Sequence, residues 1–208
     1  IRVQLDAAKA MQDEIDLRSG GPGTGWYRLV YSPLEARQAI AAGQLAVVLG
    51  IEVDQPFPSA DAGAALRQLD EYYQAGVRHL FPIHFRDNSV GGASYDKSLT
   101  VPRGTPVAPG VGPLVHPYEA DVRDCSATYR REGGRCNALG LSEVGAVVLR
   151  GMMNRGMIID VDHMSELSFD AALSLAEARH YPVVSGHTGF VDLAANSPDP
   201  DKSHEGNL

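Results

Sequence analysis

Four residues with side chains that bind metals or move protons each follow a short apolar run. Glu52 follows LAVVLGI, His84 follows HLFPI, His163 follows MIIDVD, and His187 follows PVVSG. Runs of this length and composition predict buried β-strands, so each residue lies where a strand ends. Imidazole nitrogens and a carboxylate suit Zn²⁺ or a similar divalent ion. Such an ion activates water and polarises a carbonyl, which are the two requirements of amide hydrolysis near neutral pH.

The case for a shared site depends on the number of these residues. A lone histidine at a strand end usually bonds backbone carbonyls, and a lone glutamate usually caps a helix or faces solvent. Four such residues at the same end of successive strands favour one site, because the carboxyl ends of parallel strands in α/β proteins meet in one small region. The other histidines are weaker candidates: His79, His116, His180 and His204.

Two carboxylates precede His163 in the same run. In a strand, Asp160 and Asp162 point to one face, and Val161 and His163 point to the other. If the strand ends before His163, one carboxylate could orient an imidazole. Ordinary caps and acceptors at a helix start are equally compatible with the pattern.

The elements that must position these residues alternate between strand and helix. Strands are predicted at 26–31, 44–52, 77–83, 157–161 and 182–186, and helices at 3–17, about 33–42, 61–75, 142–155 and 165–179. This alternation predicts an α/β fold with a parallel sheet and right-handed crossovers.

A long stretch at 85–140 interrupts the alternation. It is rich in Gly, Pro and charged residues and lacks clear periodicity, which is typical of a lid or an inserted subdomain. It contains both cysteines of the chain, Cys125 and Cys136. A disulfide would contribute about 3 kcal/mol, and two free thiols remain the alternative. A disulfide would favour an exported protein, although one cysteine pair does not fix the compartment.

Composition excludes several classes of partner. The chain has 208 residues, of which 44% are hydrophobic, and this is enough for one domain or a large piece of one. A formal charge of −8 and the lack of Lys/Arg-rich stretches argue against nucleic acid and anionic membrane surfaces. No run approaches the roughly 18 apolar residues of a spanning helix.

These motifs resemble those of a known family, the membrane (renal) dipeptidases, which are M19-type zinc metallopeptidases of the amidohydrolase-like barrel superfamily. GMIIDVDHMS and YPVVSGHTGF are similar to the family's two strands that end in zinc-binding histidines. AVVLGIEVD resembles the strand carrying the glutamate between the metals, and VRHLFPIHFRDN the strand whose histidine touches substrate. Most of the chain outside 85–140 takes part in the resemblance.

The resemblance implies a (β/α)8 barrel of the TIM type that hydrolyses dipeptides with two Zn²⁺ ions. Glu52 would bridge the ions and act in catalysis, and His163 and His187 would hold one of them. His84 would be catalytic, polarising the scissile carbonyl or stabilising the oxyanion. A metal-bound hydroxide would be the nucleophile, and a small peptide the substrate.

Three departures from the family pattern limit this expectation. None of the seven histidines begins a His-x-Asp pair, the late-strand aspartate has no counterpart, and Gly206 stands where the family has a substrate-binding arginine. We therefore expect residues 1–208 to be the central portion of a barrel with 85–140 inserted, and to lack part of the active site. Missing segments or a second copy would cover its open edges. The alternative is a non-catalytic or altered-chemistry amidohydrolase-like barrel that has lost part of its metal site.

Overall fold

Helices and strands alternate in the computed structural model, which describes residues 1–96, 100–105, 118–127 and 134–187. Within these ranges, the five helices are α1 (Arg2–Arg18), α2 (Pro33–Ala41), α3 (Ala62–Gln74), α4 (Glu143–Asn154) and α5 (Glu166–Glu177). All five lie where the sequence predicts them, and their ends differ from the prediction by at most two residues.

The strands that carry the site run parallel in sequence order. They are β1 (Tyr27–Leu29), β2 (Leu45–Val47), β3 (Leu49–Ile51), β4 (Val77–Leu80) and β9 (Ile158–Ile159). β1 pairs with β2, β3 pairs with β4, and β4 pairs with β9, each in parallel. A parallel bridge between Asp160 and Val184 adds residues 182–186, called the Val184 run below, to these strands. We call the whole set of parallel strands the arc. The fold is therefore mixed α/β with parallel pairing, and within the described ranges the arc stays open.

All five predicted strands are shorter in the structure, and two of them also differ in how they pair. The 44–52 run divides at Val48 into β2 and β3, so its first part pairs with β1 and its second part with β4. The 182–186 run pairs only through Val184. In both cases the apolar pattern identifies the extended chain, but the length of regular pairing depends on neighbouring strands.

The helix boundaries follow from local chemistry. Ser32, Asp61, Ser142 and Ser165 each accept a hydrogen bond from a backbone N–H in the first turn of α2, α3, α4 and α5, respectively. The chain leaves α2, α3 and α4 through glycines with positive φ, namely Gly43, Gly76 and Gly156. These are the glycine stops that the sequence predicts.

The core lies between the arc and the helices. α3 packs against α4, and α4 packs against α5 and β9. Leu69, Leu80, Met152 and Ile159 are essentially inaccessible to solvent within this layer. This packing fixes the strands from one side, so their carboxyl ends are held at one rim.

The described parts of 85–140 form small sheets of their own. The strands are β5 (Thr100–Pro102), β6 (Tyr118–Ala120), β7 (Val122–Asp124) and β8 (Arg135–Asn137). β5 and β6 pair in parallel, and β7 and β8 pair antiparallel. A disulfide joins Cys125 to Cys136 beside the β7–β8 pair, which resolves the alternative that the sequence leaves open. No helix in the described part of the chain is long and apolar enough to cross a membrane.

Candidate metal centre

The four predicted site residues lie together at the carboxyl-terminal rim of the arc. The Oε1 atom of Glu52 is 3.1 Å from Nε2 of His163 and 3.4 Å from Nε2 of both His84 and His187. The Nε2 atoms of His163 and His187 are 2.6 Å apart. Three imidazole nitrogens therefore lie within 3.4 Å of one carboxylate oxygen.

The donor set fits a divalent metal of the zinc type. The ligand atoms of Glu52, His84 and His163 all lie within 4.8 Å of one another. Two ligands of a tetrahedral Zn²⁺ ion are separated by roughly 3.4 Å when the bonds are about 2.1 Å long. The separations from Glu52 match this spacing, and nitrogen ligands with one carboxylate are the set that Zn²⁺ accepts.

Each of these side chains is placed by a strand that has just ended. Glu52 follows β3 directly, and His84 comes four residues after β4. His163 comes four residues after β9 and adopts φ of 66°, a left-handed conformation that is uncommon for residues other than glycine. Because of this turn in the backbone, the His163 side chain does not follow the alternating directions of the strand residues before it. It lies at the same rim as Glu52, 3.1 Å from its Oε1 atom.

Asp160 and Asp162 form a buried hydrogen-bond network next to His163 and His187. Asp162 accepts hydrogen bonds from the backbone N–H of His187 at 2.6 Å and from the Ser185 hydroxyl at 2.6 Å. Asp160 accepts from the N–H groups of Asp162 and Gly186. Both carboxylates are almost completely buried. The carboxylates thus join the β9 end to the Val184 run through the backbone, and neither is bonded to a site imidazole.

Asp160 also bonds a histidine outside the metal cluster. Its Oδ2 atom is 2.9 Å from Nε2 of His79, which lies on β4 below the rim. Gly186 makes this arrangement sterically feasible, because a Cβ at this position would lie only 2.4 Å from Asp160 Oδ2. His79 therefore takes part in the support of the site and stands outside the cluster itself.

His84 is oriented by a residue that sequence reasoning did not single out. Its Nδ1 atom is 2.7 Å from Oδ1 of Asp54, and Oδ2 of Asp54 accepts a 2.9 Å hydrogen bond from the Tyr118 hydroxyl. Burial alone would raise the pKa of Asp54, but the bonds from His84 and Tyr118 outweigh it and lower the pKa below its ordinary value. The bond to this carboxylate also raises the pKa of Tyr118.

Aromatic rings surround the imidazoles. Phe81 stacks on His187 with ring centroids 5.1 Å apart, and Phe85 lies 4.0 Å from the His84 ring and 4.9 Å from that of His163. Burial lowers the pKa of His163, and its neighbours His84 and His187 lower it further against the opposing effect of Glu52. The neutral imidazole is the form that binds a metal, so this environment favours metal binding near neutral pH.

The remaining histidines do not join the cluster in the described structure. His180 lies after the end of α5 with φ of 50°. His116 and His204 lie outside the described residues, as does Gly206. The residues that sequence reasoning missed are Asp54 and Tyr118. Asp54 could have been identified as a candidate only because it lies two residues after Glu52. Nothing in the sequence around Tyr118 indicates a contact with the site.

Comparison with known proteins gives one family match. The model of the family described as "Membrane dipeptidase (Peptidase family M19)" matches residues 114–200, which include His163 and His187. A comparison with curated protein sequences finds no match.

Three solved structures are similar in fold. An amidohydrolase from Pseudomonas aeruginosa is 15% identical, with a TM-score of 0.58 over 98% of this chain and 45% of its own. A metallo peptidase from Rhodobacter sphaeroides, liganded with a phosphinate mimic of the dipeptide L-Ala-D-Ala, is 19% identical, with a TM-score of 0.53 over 88% of this chain and 38% of its own. The probable dipeptidase PvdM from Pseudomonas aeruginosa is 19% identical, with a TM-score of 0.56 over 98% of this chain and 40% of its own.

The chain thus spans less than half the length of each of these structures, and at these identities the likeness concerns the fold. Together with the family match, it agrees with the motifs at the ends of β9 and the Val184 run. These findings confirm that the chain resembles the membrane dipeptidase family, as its sequence predicts.

Proposed function

We propose that this chain forms the central part of a zinc-dependent dipeptidase, in which Glu52, His163 and His187 bind metal and His84 acts on the substrate. The observation that carries the proposal is that the Nε2 atoms of three histidines lie within 3.4 Å of one carboxylate oxygen of Glu52. The family match over 114–200 supports peptide hydrolysis as the chemistry.

The chemistry divides between the metal and the protein. A bound Zn²⁺ ion supplies a Lewis acid that polarises a carbonyl and activates water. Glu52 and the His163–His187 pair would hold this ion. His84, whose Nδ1 is bound to Asp54, presents Nε2 toward the site. In its protonated form it would donate a hydrogen bond to the oxygen that becomes negative during attack on the amide.

The proposal includes a second Zn²⁺ ion, to which Glu52 would also be a ligand. This second ion would need further ligands beyond the described cluster. The sequence contains no His-x-Asp pair to supply them. Activity of the complete protein would then depend on ligands from other parts of a longer chain.

The proposed architecture is a (β/α)8 barrel of which residues 1–208 form the central portion and 85–140 an inserted segment. Parallel pairing in sequence order along the arc supports this architecture. The coverage of less than half of each similar structure is consistent with it. A small peptide is the proposed ligand, and segments of a longer chain or a second copy would cover the strand edges. The Cys125–Cys136 disulfide supports a proposed location in an oxidising compartment.

Metal content and dipeptide hydrolysis test the proposal directly. The chain, and the longest natural chain that contains it, would be loaded with Zn²⁺, dialysed and assayed on a panel of dipeptides. We expect bound zinc near stoichiometry, and its loss in His163→Ala and His187→Ala. His180→Ala is the matched control, because it removes an imidazole that is not part of the cluster. Absence of stoichiometric zinc in both chains would contradict the proposal.

A second candidate is a barrel of altered or lost chemistry. The missing His-x-Asp pair favours it, and one similar structure is described as an amidohydrolase rather than a peptidase. Zinc binding with hydrolysis of lactones or other amides, and no hydrolysis of dipeptides, would support altered chemistry. An empty site with the four side chains bonded only to protein groups would support loss of catalysis.

A further inference from the structure

The contact between Asp54 and His84 differs in kind from the metal cluster. Asp54 comes two residues after Glu52, yet its Oδ1 atom faces the opposite edge of the His84 ring, 2.7 Å from Nδ1. His84 Nε2 is 3.4 Å from Glu52 Oε1. The ring therefore lies between two carboxylates, one on the metal side and one behind it.

The hydrogen position on His84 follows from this contact. An ionised carboxylate accepts hydrogen bonds and cannot donate one. The 2.7 Å contact with Asp54 is a hydrogen bond of normal length, whereas the 3.4 Å contact with Glu52 is long, so the geometry favours the hydrogen on Nδ1. The neutral ring then has its lone pair on Nε2, which faces the site. The same arrangement allows a protonated ring to donate from Nε2 while its charge is balanced from behind.

A third group holds Asp54 in place from the 85–140 segment. The Tyr118 hydroxyl on β6 donates to Oδ2 of Asp54 at 2.9 Å, so both oxygens of the carboxylate are engaged. Asn88 donates to the backbone carbonyl of Asp54 at 3.0 Å. The position of His84 is thus linked, through Asp54, to two residues of the segment that interrupts the helix–strand alternation.

We propose that Asp54 is a positioning residue that holds His84 with hydrogen on Nδ1 and Nε2 facing the site, and that Tyr118 couples this geometry to the 85–140 segment. The inference rests on the proposed function for the role of His84 toward the substrate. The orientation of the ring does not depend on hydrolysis, so it can be tested separately.

Histidine ¹⁵N NMR on the full chain tests the orientation. Long-range ¹H–¹⁵N correlations show which ring nitrogen carries the hydrogen when His84 is neutral. We expect the Nδ1–H tautomer in the unaltered chain and a shift toward the Nε2–H tautomer in Asp54→Ala. Asp13→Ala is the control, because it removes an exposed carboxylate on α1. An Nε2–H tautomer in the unaltered chain, or an unchanged tautomer in Asp54→Ala, would overturn the proposal.

Kinetics on the zinc-loaded protein test the consequence. We expect kcat to fall roughly 10- to 100-fold in Asp54→Ala while KM changes little, because an orienting partner of a functional imidazole typically has an effect of this size. Asp54→Asn, which keeps an acceptor oxygen, should recover part of the loss. A change in KM alone, with kcat preserved, would argue against positioning of His84.

Tyr118→Phe tests the coupling to the segment. Removal of the hydroxyl should lower kcat by a smaller factor than Asp54→Ala, and combining the two changes should add nothing to Asp54→Ala alone. Tyr31→Phe serves as the control for loss of a tyrosine hydroxyl. If Tyr118→Phe and Asp54→Ala have fully additive effects, Tyr118 acts independently and the coupling is refuted. Should no dipeptide be hydrolysed, the NMR result still decides the orientation of His84, and only the proposed function fails.

Discussion

The two sides of the candidate metal centre are supported in opposite ways. His163 and His187 stand above Asp160 and Asp162, whose accessibilities are 0% and 1%. His84 is supported by Asp54, whose side chain is 31% exposed, and through it by Tyr118 on the 85–140 segment. The carboxylates next to His163 and His187 are part of the buried core. The support of His84 depends on a partly exposed contact between Asp54, which follows β3, and Tyr118 on β6.

The two sides differ in the burial of the carboxylates that support them, and burial decides how firmly a carboxylate holds its partners. A buried carboxylate that accepts backbone N–H groups fixes chain positions strongly, because loss of its partners leaves polar groups unsatisfied in a dry environment. A half-exposed carboxylate exchanges its bonds with water at little cost. The geometry of His163 and His187 should therefore be rigid, whereas the geometry of His84 should respond to the segment that carries Tyr118.

Asp162→Ala should produce the largest effect. It removes the acceptor of the His187 N–H and of the Ser185 hydroxyl within a buried network. We expect a loss of about 2–4 kcal/mol in the free energy of unfolding and a roughly 10- to 100-fold weaker zinc affinity. Urea unfolding and chelator competition measure the two quantities. Asp162→Asn keeps one acceptor and should lose less; equal zinc affinity in the unaltered chain and both variants would show that Asp162 does not support the metal site.

Gly186→Ala should have the second largest effect, a loss of stability. A Cβ here would lie 2.4 Å from Asp160 Oδ2, a carboxylate held in place by His79. We expect destabilisation of about 1–3 kcal/mol, because a buried group must shift to accept the methyl. Gly63→Ala in α3 is the matched control and should be neutral or slightly stabilising, since alanine favours helix. Thermal unfolding of both variants makes the measurement, and an unchanged Tm in Gly186→Ala would show that the network is loosely packed.

Asp54→Asn should change stability by less than about 1 kcal/mol, as expected for a partly exposed hydrogen bond. Asp162→Asn, measured in the same urea series, should lose more stability than Asp54→Asn. Similar losses for the two variants would mean that Asp54 is as much a part of the core as Asp162.

The smallest effect on the site is expected from Asp16, a carboxylate near the end of α1 whose partners lie before and within β1. Hydrogen bonds from Arg28 and from the Gly23 N–H lower the pKa of Asp16 to about 2, and burial opposes them. Because the pKa of an aspartate in the unfolded chain is about 3.9, this contribution to stability is present above pH 4 and is lost as the pH falls toward 2.

Asp16→Asn should therefore lower Tm at pH 5 and flatten the fall of Tm between pH 4 and pH 2. Thermal unfolding over this range makes the measurement, and zinc affinity at neutral pH should be unchanged. A steep fall retained in the variant would assign the acid sensitivity to another group.

Much of the fold follows from short-range patterns in the sequence. The capping residues Ser32 and Ser142 and the glycines Gly43 and Gly76 mark helix ends because they satisfy local backbone groups. The division at Val48 was not predictable in this way. It depends on which strand pairs with each half of an apolar run, and pairing is a tertiary property.

The same limit applies to the site. Glu52, His84, His163 and His187 are identifiable because each follows an apolar run, and parallel strands bring such residues to one rim. Tyr118 lies in a stretch without periodicity, 64 residues from its partner Asp54. Its contact with Asp54 is a tertiary contact between β6 and the chain after β3, and no local rule contains that information. For Asp160 and Asp162, the sequence predicts the shared face but leaves open which groups they bind.

The left-handed backbone of His163 restricts how the centre could be redesigned. Asparagine, aspartate and glycine tolerate φ near 66°, whereas valine, isoleucine and threonine would strain the chain. An engineer who wishes to exchange this ligand should begin with aspartate, which keeps the turn while replacing nitrogen with a hard oxygen donor. That exchange would make the donor set of the candidate centre more suitable for manganese or magnesium.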